Sequence, residues 1–79
     1  MKAKIIVLPK KTVLDPQGKT VKHALESMNF TGIKEVRVGK FMEIELEGHD
    51  RAALQKQIDA ACHQLLSNPV IEEYSFELV

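Results

Sequence analysis

An α+β domain is the fold class that this 79-residue sequence predicts, on three observations. Two segments, near residues 16–28 and 51–66, carry apolar residues at helical spacing. Four shorter segments carry β-branched runs or strict apolar–polar alternation. Their order along the chain is strand, helix, strand, strand, helix, strand. That order is the ferredoxin-like βαββαβ pattern, and it predicts an antiparallel sheet with two helices packed on one face. The other sheet face is then bare. A chain this small buries only about 60% of its unfolded surface, so a bare face or open edge strand invites a second copy. At least a dimer, formed through the sheet face or edge, is expected, with residues 1–79 as a single domain.

The first strand covers Lys2 to Leu8, where Ile5, Ile6 and Val7 are contiguous and suit a strand covered on much of both faces. Pro9 cannot donate to a ladder and ends it. The stretch Val13-Leu14-Asp15-Pro16-Gln17-Gly18-Lys19 then opens the first helix. Asp15 suits an N-cap and Pro16 the first helical position. Gly18 is out of place there, since glycine in a helix costs up to ~1 kcal/mol against alanine; either the helix begins raggedly or another backbone approaches closely at that point. Val21, Ala24, Leu25 and Met28 make one apolar face. Asn29-Phe30-Thr31-Gly32 breaks the helix, with Asn29 or Gly32 suited to the left-handed region and Phe30 as an anchor under the loop.

Ile33 to Val38 reads as a second strand and Phe41 to Glu47 as a third, joined by a Gly39-Lys40 hairpin in which Gly39 supplies positive φ. In the third strand Met42, Ile44 and Leu46 alternate with Glu43, Glu45 and Glu47, the signature of one buried and one solvated face. Asp50 caps the second helix, whose stripe is Leu54, Ile58, Ala61 and Leu65 with Ala53 and Cys62 beside it. Ser67-Asn68-Pro69 stops that helix. Val70 to Val79 is the last strand, with Tyr74, Phe76 and Leu78 alternating with Glu73, Ser75 and Glu77.

Eleven Lys and Arg balance eleven Asp and Glu. This argues against nucleic acid or an anionic membrane as the main partner, since both reward a basic excess. The single cysteine, Cys62, permits neither an internal disulfide nor a thiolate zinc cluster, which fits a reducing compartment. The basic, then apolar start is too short for a signal peptide, and no stretch reaches a membrane span. The cytoplasm is the expected location.

The residues that could carry chemistry are few and poorly placed for it. His23, His49 and His63 lie on different elements without metal-clamp spacing. Cys62 and His63 are adjacent on a helix, so their side chains diverge and make a poor nucleophile–base pair. Gly18-Lys19-Thr20 lacks the earlier glycine and leading strand of a phosphate loop. A base-stacking role for the sheet is disfavoured, because Phe41 is followed by glutamates that would repel phosphate. No catalytic residue, cofactor site or metal site is expected in this chain.

Three stretches nevertheless stand in a telling register: Leu14 to Lys19 at the first helix start, Val36 to Lys40 at the hairpin, and Asn68-Pro69-Val70-Ile71-Glu72 after the second helix. Together, over essentially the whole chain, they resemble the PurS family, the small subunit of phosphoribosylformylglycinamidine synthase. The resemblance implies a part in purine biosynthesis. The complex would convert formylglycinamide ribonucleotide, ATP, glutamine and water to formylglycinamidine ribonucleotide, ADP, phosphate and glutamate. It also implies a homodimer or tetramer that bridges a glutaminase subunit and a large synthetase subunit. ATP and magnesium would be used by the large subunit. Asp15, Pro16, Gln17, Gly18, Arg37, Gly39, Lys40, Asn68 and Pro69 become candidate interface residues. The alternative is a free-standing ferredoxin-like regulatory domain that binds a small ligand between protomers.

Overall fold

A computed structural model describes residues 1–79. Strand β1 (Lys2–Pro9) is the centre of a three-stranded antiparallel sheet, flanked by β2 (Lys40–Glu45) and β3 (Glu72–Leu78) in the order β2-β1-β3. Helix α1 (Pro16–Ser27) follows β1, and α2 (Arg51–Ala61) links β2 to β3, ending in a π-helical turn over Cys62–Leu66. The antiparallel sheet, the two helices and their order are those of the ferredoxin-like pattern.

The register sorts the side chains onto two faces. Ala3, Ile5 and Val7 lie opposite Ile44, Met42 and Lys40 on one side and Leu78, Phe76 and Tyr74 on the other. This face meets Leu54, Ile58 and Cys62 from α2, and the buried cluster consists of Ala3, Ile5, Val7, Leu54, Ile58, Cys62 and Leu78. Ile5 and Val7 are completely buried, each stabilising the fold by roughly 1.5–3 kcal/mol relative to exposure. The reverse face carries Lys2, Lys4, Ile6 and Leu8 among Phe41, Glu43, Glu45, Glu73 and Glu77. It is open to solvent. Ile6 is 46% exposed and Phe41 58%, so the expected covering of both faces of β1 does not occur in the single chain. The glutamate row is solvated as its alternation implies, with Glu43 paired to Lys2 at 3.2 Å.

Three further particulars depart from expectation. Residues 33–38 form no ladder with β2, and Gly39 is absent from the positive-φ glycines, which are Gly32 and Gly48. The expected tight hairpin is therefore absent. The chain does not reverse at Gly39: that residue lies against β1, a Cβ there standing 2.1 Å from the Val7 oxygen, and the residues before it run on past Pro9. The Pro9 carbonyl is taken by Arg37 Nη1 at 3.2 Å. The chain before β2 turns instead toward α1, where Val38 N donates to Asp15 Oδ2 at 2.9 Å. Second, the apolar stripe of α1 contributes nothing to the core: Val21 is 41% exposed and Met28 66%. Third, Phe30 is 53% exposed and anchors no loop in the single chain. Asn29, at φ 70°, and Gly32, at φ 79°, do take the left-handed conformation expected of a helix exit. The result is a long body, 49 × 24 × 15 Å.

Candidate functional site

The three sequence stretches singled out above meet at one end of the sheet. Asp15 is their hub. Its Oδ1 accepts from Gly18 N at 3.0 Å, capping α1, while Oδ2 accepts from Val38 N at 2.9 Å. One carboxylate thus ties the helix start to a segment 23 residues later. These donors, Gly18 first and then Val38, hold the Asp15 carboxyl below its ordinary value; burial opposes them and Gln17 N adds to them. Pro16 occupies the first helical turn as expected.

Gly18 is in that turn because nothing larger fits. A Cβ placed there would stand 2.1 Å from the Val36 carbonyl oxygen. Gly39 has the same function further along, since a Cβ there would stand 2.1 Å from the Val7 oxygen. Both glycines therefore mark close backbone approaches. Neither is needed for a special backbone angle.

Arg37 fastens the corner to the sheet. Besides the Pro9 carbonyl, its Nη1 reaches Glu73 Oε1 at 2.7 Å, and its Nε lies 3.9 Å from Glu35 Oε1. Glu73 was not among the residues singled out in the sequence. Thirty-six positions separate the pair; the β1–β3 register sets Glu73 beside the end of β1, where Arg37 also holds the Pro9 carbonyl. Asn68 and Pro69 turn the chain into β3: Asn68 Oδ1 accepts from Val70 N at 3.1 Å, and Asn68 N donates to Glu72 Oε1 at 2.7 Å. Lys10 N then donates to Ile71 O at 2.9 Å, which draws this turn to the end of β1. Lys40 begins β2, exposed and without an ion pair within 4 Å.

What the corner offers outward is shape. Pro16, Gln17, Thr20, Val21 and Val38 line an open groove of about 460 Å³ between α1 and the segment before β2. The polar groups that build the corner are engaged with one another, and no buried side-chain nitrogen or oxygen lacks a partner. No cluster of three or more His, Cys, Asp or Glu side chains could hold a metal ion. Cys62 is buried in the core, which pushes its thiol above the ordinary value, with Asp59 adding a smaller effect. His63 is exposed beside it. The Tyr74 hydroxyl donates to Asp59 Oδ1 at 2.7 Å, and this bond raises its titration above the ordinary phenol value. No helix is long and apolar enough to cross a membrane.

Residues 2–79 match the family model described as PurS, phosphoribosylformylglycinamidine (FGAM) synthase. The phosphoribosylformylglycinamidine synthase subunit PurS of Bacillus subtilis is 46% identical over 77 residues, covering 98% of this chain and 90% of that protein. The corresponding subunit of Methanocaldococcus jannaschii is 36% identical, covering 98% and 93%. Among solved structures, B. subtilis PurS superposes with a TM-score of 0.82 over 96% of this chain and 94% of that one. A chain in the structure of PurLQS from Thermotoga maritima superposes with a TM-score of 0.86 at 32% identity, over 99% and 95%.

Proposed function

The chain belongs to the PurS family, whose members are subunits of the ATP-dependent ligase phosphoribosylformylglycinamidine synthase, and we propose that within that enzyme it is the assembly piece. On this reading it holds a glutaminase subunit against a large synthetase subunit, so that ammonia released from glutamine reaches the activated amide of formylglycinamide ribonucleotide. ATP and magnesium act on the large subunit. This chain supplies no catalytic group and binds no cofactor, and it works in the cytoplasm. The M. jannaschii structure is of one subunit of formylglycinamide ribonucleotide amidotransferase in the purine biosynthetic pathway. The T. maritima structure is of PurLQS, in which a chain of this kind is one component.

The observation that carries this reading is the shape of the single chain. A compact chain of 79 residues has a radius of gyration of about 12 Å, whereas this one has 15.9 Å. The excess length comes with apolar surface left uncovered: Val21 and Met28 on α1, Phe30 beyond it, and Ile6 and Phe41 on the open sheet face are all more than 40% exposed. Large apolar side chains left this exposed mark association surfaces. A second copy covers the α1 arm and the bare face, and the corner around Asp15, Pro16, Gln17, Gly18, Arg37, Gly39, Lys40, Asn68 and Pro69 meets the other subunits.

Sedimentation of the chain alone and with the two larger subunits tests the proposal. A dimer or tetramer alone, and a larger species containing all three chains when mixed, is the expected result. A monomer that joins neither subunit would overturn it.

A further inference from the structure

The single chain shows more surface than a folded monomer of its mass. It exposes 5951 Å² to solvent, whereas a monomeric protein of 8.9 kDa exposes about 4,800 Å². The excess is about 1,100 Å² per copy. Two copies that removed it from each other would bury roughly 2,300 Å² in total, within the range of obligate homodimers.

Two bare surfaces lie on the same chain. One is an arm made of α1 and the residues that return from its end to its base, where Val36 meets Gly18 and Val38 N donates to Asp15. No residue of α1 belongs to the core or packs against it, and Val21, Met28 and Phe30 are exposed. The arm carries the molecule well past the ladder: β1 has eight residues and spans about 26 Å, while the body is 49 Å long. The other surface is the reverse face of the sheet, where Ile6 and Phe41 stand opposite each other across β1 and β2, both exposed.

Charge matches these surfaces to each other. Residues 1–40 hold nine of the eleven basic residues and three of the eleven acidic ones. On the arm Lys19, Lys22 and Lys34 have no ion pair within 4 Å, while Glu35 lies 3.9 Å from Arg37. On the reverse face the cations are already answered. Lys2, opposite Glu45 in the register, reaches Glu43 instead at 3.2 Å; Lys4 stands opposite Glu43 and Glu77; Arg37 holds Glu73 at 2.7 Å. Glu45, and Glu47 just past the ladder, are left without an ion pair. They lie at the end of β2 farthest from the arm.

Lengths match as well. Phe41 and Glu45 are about 13 Å apart along β2, and Val21 and Met28 about 10 Å apart along α1. If two copies lie antiparallel, Val21 of one sits over the Ile6–Phe41 pair of the other, and the arm tip with Phe30 and Lys34 reaches Glu45 and Glu47. The relation is reciprocal, so one two-fold axis covers both arms and both faces. We propose that two copies associate in this way, the basic apolar arm of each lying on the reverse sheet face of the other. This rests on the self-association proposed above and names the two surfaces that meet.

Val21→Glu on the arm and Phe41→Lys on the face test the arrangement. Self-association of each variant is measured by sedimentation, alone and as an equimolar mixture, with circular dichroism alongside. Each variant alone is expected to dimerise at least tenfold more weakly than the unmodified chain. The mixture regains the dimer, because a mixed pair keeps one unaltered arm-on-face contact and sets the new carboxylate against the new ammonium in the other. A mixture that stays dissociated overturns the proposal; that is the result if arm meets arm and face meets face. Unchanged self-association of either variant alone also overturns it. A variant that fails to fold alone is read in the mixture, where a regained native spectrum and dimer support the proposal and their absence overturns it. The unmodified chain is also mixed with the two larger subunits. If it dimerises arm on face yet joins neither, it is the assembly role that has failed and the arm-on-face dimer stands.

Discussion

Replacing Gly18 by alanine should destabilise the protein, although alanine is the better helix former. A Cβ at this position meets the Val36 carbonyl oxygen at 2.1 Å and Asp15 Oδ2 at 2.7 Å. Ordinary contact begins at 3.4 Å, so the backbone at Val36 must withdraw by about 1.3 Å. That movement pulls on the Val38 N–H to Asp15 Oδ2 bond and on Arg37, which sits between them in the chain. Overpacking of this severity costs about 1–3 kcal/mol, and the gain in helix propensity returns at most ~1 kcal/mol. A net loss of about 1–2 kcal/mol corresponds to a fall in Tm of roughly 5–15 °C for a domain of this size. The assay is thermal unfolding followed by circular dichroism, at one fixed protomer concentration because association contributes to Tm. An equal or higher Tm for Gly18→Ala would refute the close-approach explanation of this glycine.

Other perturbations probe the same architecture. Arg37→Ala removes the bonds to the Pro9 carbonyl and Glu73; because the pair is partly solvated, a loss of about 1 kcal/mol is expected in urea unfolding. Asp15 titrates below its ordinary value of 3.8 when folded. Its contribution to stability is therefore fully present above pH 3.8 and lost as pH falls through the lower folded value. Asp15→Asn should flatten that acid limb in pH-dependent unfolding, and an unchanged limb would rule Asp15 out as its source. Cys62 shows the opposite sign, since burial raises its thiol above 9.0. Its contribution is present below that pH and lost as pH rises through the folded value, and native protein should react with a thiol reagent far more slowly than unfolded protein. Met28→Asp adds a charge to a side chain that is 66% exposed in the single chain; it should reduce self-association in sedimentation while the circular dichroism spectrum stays native.

The parts of the fold legible in sequence were those set by local periodicity. The alternation in residues 42–47 and 73–78, the caps at Asp15 and Asp50, and the stop at Asn68-Pro69 each depend on neighbours a few residues away. All appear where local chemistry places them, with Asp50 Oδ1 accepting from Ala53 N at 3.1 Å. The segment at residues 33–38 fits a strand by its apolar spacing, but whether the chain reverses after it depends on the approach of Gly39 to Val7, which lies far back in the chain. The apolar stripe of α1 could be seen, but what covers it could not, since period alone does not distinguish a core from an interface. The corner was legible as three motifs without a mechanism. That Asp15 bonds Val38, or Arg37 bonds Glu73, is a tertiary fact with no local signal. Gly18 is a partial exception: an unfavourable residue in a helical turn leaves a ragged start or a close approach open, and Val36 supplies the approach.

The most direct test of the assembly role is glutamine-dependent turnover by the reconstituted synthase. The large synthetase and glutaminase subunits are combined with formylglycinamide ribonucleotide, ATP, magnesium and glutamine, with and without this chain, and formation of the amidine product is measured. A parallel assay supplies ammonia in place of glutamine. If the chain has the assembly role, glutamine-dependent product requires it, whereas ammonia-dependent product does not. Equal glutamine-dependent rates with and without the chain would contradict it.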